Sequence, residues 1–109
     1  MSRAAIRYAK AIIDIATTSG RNEAVNNDMK MIVETVASSS ELKEFLVNPV
    51  IKMEAKKAAL SELFSNVQPE TNSLFHLLFE NKRFEILESI AQQYKLLFDE
   101  SNGVEVAKV

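Results

Sequence analysis

His76 is the only histidine in the sequence, so proton transfer near neutral pH would have to pass through it. No carboxylate or nucleophile stands beside it at motif spacing, which makes it a helix-flank side chain at the surface or a boundary. Glu85 with Glu88, and Glu41 with Glu44, are acidic pairs at helical spacing, but solvated helix faces produce such pairs constantly. Cysteine is absent, which removes disulfides, thiolate nucleophiles and cysteine metal sites together. With one histidine, neither a zinc site nor a histidine-based triad is expected. No G-x-x-x-x-G-K pattern occurs and the two glycines are isolated, so a phosphate cradle is missing too. The residue types argue against an enzyme, a cofactor or a bound metal.

Length and charge narrow the partners. A chain of 109 residues is about one domain, able to bury roughly two thirds of its unfolded surface without staples. The net charge of -2 lacks the basic surplus on which nucleic-acid binding draws, so no nucleic acid is expected. No apolar run approaches the roughly 18 to 20 residues of a membrane span, so direct membrane insertion is not expected either. Met1-Ser2-Arg3 leads at once into an amphipathic segment containing Asp14, without the apolar core of a secretory signal. A cytoplasmic protein follows, soluble or peripherally attached to something larger.

The elements that must position any site are helices. Two glycines and two prolines punctuate the chain. Gly20 closes a first helix over 3–17. A second, over 21–38, repeats Val25, Met29, Ile32, Val33 and Val36 at spacings of three and four. Ser38-Ser39-Ser40 caps a short third helix carrying Leu42, Phe45 and Leu46, and Pro49 should stop it near Val47. A fourth, over 52–64, should bury Ala59, Leu60, Leu63 and Phe64 and turn its lysines outward. Pro69 suits the first turn of a fifth. The sixth, over 84–100, has a continuous stripe of Phe84, Leu87, Ile90, Ala91, Tyr94, Leu97 and Phe98. Beyond Asn102-Gly103 the period drops to two at Val104, Val106 and Val109, which predicts an extended segment. A lone strand needs partners, so the chain reads as the amino-terminal part of a longer protein, with a helical domain over 1–102 and a second beginning over 103–109.

Two helices are apolar over too much of their circumference. On the first, Arg3, Arg7, Lys10, Asp14 and Thr17 crowd into an arc of about 80°, while apolar residues cover roughly 220°. On the fifth, Leu74, Phe75, Leu77, Leu78 and Phe79 spread over roughly 200°. A helix on a single core needs a stripe of about 100° or a little more. Either these are the central helices of a bundle, or their outer strips form a groove for an amphipathic helix of another protein. Ala4 and Ala11, on one face with Tyr8 and Ile15, would let a third backbone approach closely.

The same residues resemble a known family. Arg7-Tyr8-Ala9-Lys10-Ala11, with Ile12 and the turn Asp14-Ile15-Ala16, is similar to the start of the delta subunit of bacterial ATP synthases, whose mitochondrial relative is the oligomycin-sensitivity-conferring protein. Phe45-Leu46-Val47-Asn48-Pro49-Val50-Ile51 with Lys56-Lys57 resembles the family's L-x-N-P segment. Asn72-Ser73-Leu74-Phe75 through Leu78, Glu80-Asn81 and Arg83 resembles its N-x-L/F…L…E-N-x-R stretch. Gly103-Val104-Glu105-Val106-Ala107 resembles its exit from the helical domain.

The resemblance implies an all-α six-helix bundle and a stator subunit that keeps the catalytic head from turning with the central shaft. It implies, as partner, the amino-terminal helix of an alpha subunit, held between the first and fifth helices. The matching positions are Ala4, Tyr8, Ala11, Ile12 and Ile15 on the first helix, and Leu74, Leu77, Leu78 and Asn81 on the fifth. The b subunits of the peripheral stalk would engage a carboxy-terminal domain missing from this chain. A peripheral location on the cytoplasmic face of the bacterial inner membrane follows. An unrelated helical adaptor that binds some other amphipathic helix is the alternative.

Overall fold

Few residues in this sequence interrupt a helix, and the computed structural model, which describes residues 3–101, is helical almost throughout. The helices are α1 (Arg3–Ser19), α2 (Asn22–Ala37), α3 (Ser40–Val47), α4 (Met53–Leu63), α5 (Pro69–Asn81) and α6 (Leu87–Ser101). A 3-10 turn, Phe84–Ile86, leads into α6, where the periodicity alone predicted one unbroken helix. The fold is all-α, with no strand among the described residues. The extended segment expected at Val104, Val106 and Val109 lies outside them.

Local chemistry sets the helix ends. Gly20, at φ 77, turns the chain after α1 in a conformation that a side chain would strain. Ser39 caps α3, its hydroxyl accepting from the Leu42 amide at 3.1 Å. Asn48 is extended ahead of Pro49, as proline requires of its predecessor, and its side chain accepts from the Val50 amide at 2.9 Å. Pro69 occupies the first turn of α5, where a missing N–H costs nothing. At the other end of α5, Lys82 takes the left-handed conformation at φ 58, and the Arg83 amide bonds back to the Leu78 carbonyl at 2.9 Å. Glycine fits such a site without strain. Lys82→Gly should therefore stabilise the chain by about 1 kcal/mol, read as a higher urea midpoint at unchanged slope.

The core forms around α6, which packs along both α1 and α2. Its stripe behaves as read: Phe84, Leu87, Ile90, Ala91 and Tyr94 are buried, and Leu97 and Phe98 pack partly buried against the same cluster. α5 packs on α1 and α4, and α3 on α2 and the 3-10 turn. Ala5, Ala9 and Ala16 of α1 are fully buried, and such small residues let its backbone lie close to its neighbours.

Helix α4 departs from expectation at two positions. Leu63, read as core, is 52% exposed, while Lys56, read as one of the outward lysines, is only 2% exposed. For Lys56 the cause lies in α3. Its last carbonyls need donors, and the Lys56 ammonium supplies one to the Leu46 oxygen at 2.8 Å, at the end of a helix where a cation is favoured. Leu60 and Phe64 are buried as read, Phe64 against Phe75 with ring centroids 6.0 Å apart, and Ala59 is half-buried.

Candidate functional site: a cleft between α1 and α5

Along α1 the inward face is Ala5, Ala9, Ile12, Ile13 and Ala16. That leaves Tyr8, Ala11 and Ile15, at steps of three and four, as a row on the outside. On α5, Leu74, Phe75 and Leu78 turn inward, while Leu77 and Asn81, four apart, remain at the surface. The two rows meet. Asn81 Nδ2 donates to the Tyr8 hydroxyl at 2.7 Å, joining the end of α5 to the second turn of α1. Beside that bond lies an open cleft of about 270 Å³ lined by Arg7, Tyr8, Ala11, Leu77 and Arg83. A second, mostly apolar hollow continues along α1 around Asp14, Ile15, Thr18 and Ser19.

The nine candidate positions therefore divide. Tyr8 is half-buried, Ala11 and Asn81 are exposed, Ile15 is 51% exposed and Leu77 37%. Ala4, Ile12, Leu74 and Leu78 are buried in the bundle and present nothing to a partner. Their placement is a correction with a simple cause: α1 packs against α6, α5 and α2 at once, which uses most of its apolar arc. The bundle-core reading accounts for the inner part of the excess. What remains is a narrower strip of Tyr8, Ala11 and Ile15 facing Leu77 and Asn81. Arg7 and Arg83 were missed as lining residues, although Arg7 sits next to the outer strip on the helical wheel.

A polar clamp holds the other end of the two helices. Glu70, in the first turn of α5, is only 4% exposed. It accepts from Ser19 Oγ at 2.7 Å, and from Arg21 Nε at 3.0 Å and Nη2 at 2.7 Å. The hydrogen bonds from Arg21, then from Ser19, pull its carboxyl down to about 2. Asp28, from α2, accepts from the Gln68 amide at 2.8 Å and from Thr71 Oγ1 at 2.7 Å. It thereby caps α5 from a neighbouring helix, since Gln68 supplies no side-chain cap of its own. Tyr94 donates to the Asn22 carbonyl at 2.9 Å, and burial, with the charges of Glu70 and Asp28, pushes its phenol upward. The clamp fixes where α5 starts relative to the end of α1, and hence the width of the cleft.

His76 lies exposed on the flank of α5 that faces α4. Its Nδ1 is 3.3 Å from Lys57 Nζ and its Nε2 3.4 Å from Glu80, with Lys57 also over the Phe79 ring. It is not among the residues lining the cleft. Among the described residues no group of three or more metal-ligating side chains gathers, and no helix is long and apolar enough to cross a membrane.

The family described as ATP synthase delta (OSCP) subunit matches residues 4–109. ATP synthase subunit delta of Flavobacterium johnsoniae is 60% identical over 108 residues, 99% of this chain and 61% of that protein. The chloroplastic ATP synthase delta chain of Spinacia oleracea is 32% identical over 107 residues, 96% of this chain and 41% of that one. A chain in the cryo-EM structure of the Toxoplasma gondii mitochondrial ATP synthase hexamer superimposes with a TM-score of 0.78 at 27% identity, over 85% of this chain and 53% of its own. The present chain thus spans about three fifths of the length of the Flavobacterium relative.

Proposed function

The chain belongs to the ATP synthase delta (OSCP) subunit family, and on that premise we propose that it is the head-binding part of a stator. In this reading the amino-terminal helix of an alpha subunit docks in the cleft between α1 and α5, against Tyr8, Ala11, Ile15, Leu77 and Asn81. Residues 1–102 form the docking domain, and 103–109 open a second domain through which the b subunits of the peripheral stalk are held. The assembly sits peripherally at the cytoplasmic face of a bacterial inner membrane. The observation that carries the proposal is the pair of outward rows facing each other across α1 and α5, joined by the Asn81–Tyr8 hydrogen bond.

The geometry suits a mechanical task. Torque from a turning shaft must be resisted by a link that does not yield, and a bundle with one continuous core and a clamped helix pair is stiff on the relevant scale. Neither a proton nor a nucleotide passes through such a link, so the subunit is non-catalytic. Nor does tight binding require a large cleft: apolar burial at about 25 cal/mol per Å² on a preformed helical surface offsets the entropy of association.

Calorimetric titration of the 109-residue chain with a peptide of the first 25 or so residues of the Flavobacterium johnsoniae alpha subunit tests this. We expect saturable one-to-one binding in the micromolar range or tighter. Absence of binding, or equal binding of unrelated amphipathic helices, would sink it, the latter in favour of a general helical adaptor.

A further inference from the structure

The cleft carries charge that folding does not explain. Two guanidinium side chains, Arg7 and Arg83, line it, and among the described residues no carboxylate does. Arg83 is balanced by Glu85, whose Oε2 lies 3.2 Å from its Nε. Arg7 is exposed and has no ion-pair partner among the described residues.

Its place in the helix deepens the anomaly. The first turn of a helix is the positive end of its dipole and favours acidic side chains, yet α1 has none there and begins with Arg3. Arg7 follows one turn later on the same face, so two like charges stand four apart where the pairing rule makes them mildly repulsive. Among the described residues no ion pair offsets this arrangement. A carboxylate arriving from outside would.

We propose that the helix seated between α1 and α5 carries an aspartate or glutamate beside its apolar stripe, and that this carboxylate pairs with Arg7. The inference rests on the docking reading above and specifies the chemistry of the docked helix. Arginine suits the role because its planar fork can hold both oxygens of a carboxylate. Tyr8, next in sequence and half-buried, supplies an apolar wall on one side of the pair and excludes part of the solvent. The consequence is register. Against Ala11, Ile15 and Leu77 alone an aliphatic helix could slide by a turn with little loss, whereas a charge fixed at the Arg7 end selects one position.

Arg7→Glu and Arg7→Gln chains, titrated with the same Flavobacterium johnsoniae alpha-subunit peptide at low and high salt, decide the matter. At low salt we expect Arg7→Glu to weaken binding about tenfold and Arg7→Gln about threefold, with both differences shrinking at high salt. Replacing the peptide's acidic residues one at a time by lysine should identify one change that restores affinity for the Arg7→Glu chain. Folding is a separate readout: because glutamate suits the helix start better, Arg7→Glu should keep or slightly raise the thermal midpoint. If the parent binds and Arg7→Glu binds equally well at low salt, the pairing is overturned while the docking reading survives. If the parent does not bind, the docking reading itself fails and the pairing fails with it.

Discussion

A chain carrying both Ile15→Asp and Leu77→Asp is expected to remain folded and to lose at least about a hundredfold in affinity for the alpha-subunit peptide. Both side chains are partly in water already, Ile15 at 51% and Leu77 at 37%, so the introduced carboxylates stay hydrated in the free protein. The cost to the fold is then limited to helix propensity and modest packing losses, on the order of 1 kcal/mol. In the complex the same carboxylates would face the apolar stripe of the docked helix, and the one at position 77 would have to draw Arg7 or Arg83 away from its own carboxylate partner. Burying an unpaired polar group costs about 1 to 3 kcal/mol by mutational measures, more for a charge, and two such sites suffice for the expected loss. Leu63→Asp and Leu96→Asp are matched controls, because both leucines are exposed and neither lines the cleft. Circular dichroism verifies the fold and calorimetry the affinity. Were the controls to lose as much as the double variant, the peptide would be binding exposed apolar surface at large.

Much of this arrangement is legible in the sequence, and the parts that are not have physical reasons. Helices α2 and α6 announce themselves by one apolar stripe each, since each presents a single continuous face to the core. The excess on α1 and α5 marks the two helices whose outer rows meet at the cleft. A helical wheel cannot divide that excess between core and surface, because the division depends on how many neighbours surround the helix. Ile12 and Ile15 are the same residue type three apart, yet one is buried and the other half in water. Lys56 is buried for a similar reason: the unmet carbonyl at the end of α3 needs the lysine more than solvent does. Glu70 is the clearest case of information absent from local pattern. After Pro69 it reads as an ordinary acid in a first turn, and only the folded chain brings it to Arg21, 49 positions away.

The clamp also ties the cleft to the stability of the whole bundle. Ser19 ends α1, Arg21 lies in the connection to α2, Glu70 comes from α5 and Tyr94 from α6, so loosening one group affects how three or four helices meet. Asp28 holds the start of α5 independently through Gln68 and Thr71. Loss of Glu70 should therefore soften α5 rather than release it. The cleft would lose definition while the helices persist.

Glu70→Gln is accordingly expected to lower stability by about 2 kcal/mol at neutral pH, because a buried carboxylate accepting several charge-assisted hydrogen bonds becomes a neutral amide with one acceptor oxygen, which keeps at most a weaker, uncharged bond to Arg21. For a chain of this size that corresponds to a fall of roughly 10 °C in the thermal midpoint. The Arg21 side chain is 44% exposed, so water screens its half of the pair and limits the loss. The pH dependence supplies a sharper signature. The carboxyl titrates at about 2 in the folded chain against an ordinary 4.5, so the unfolded chain binds its proton first as the solution is acidified. Stability from this group is complete above about pH 4.5 and is lost as pH falls towards 2. The parent should lose stability steeply across that window, while Glu70→Gln, lower at neutral pH, should change less and approach it at the acid end. Thermal melts of the two chains at intervals between neutral pH and pH 2 would show the curves converging. Parallel curves would mean that the Glu70 carboxylate is no better stabilised in the folded chain than in the unfolded one, and that α5 is positioned by Asp28, the Asn81–Tyr8 bond and apolar packing without it.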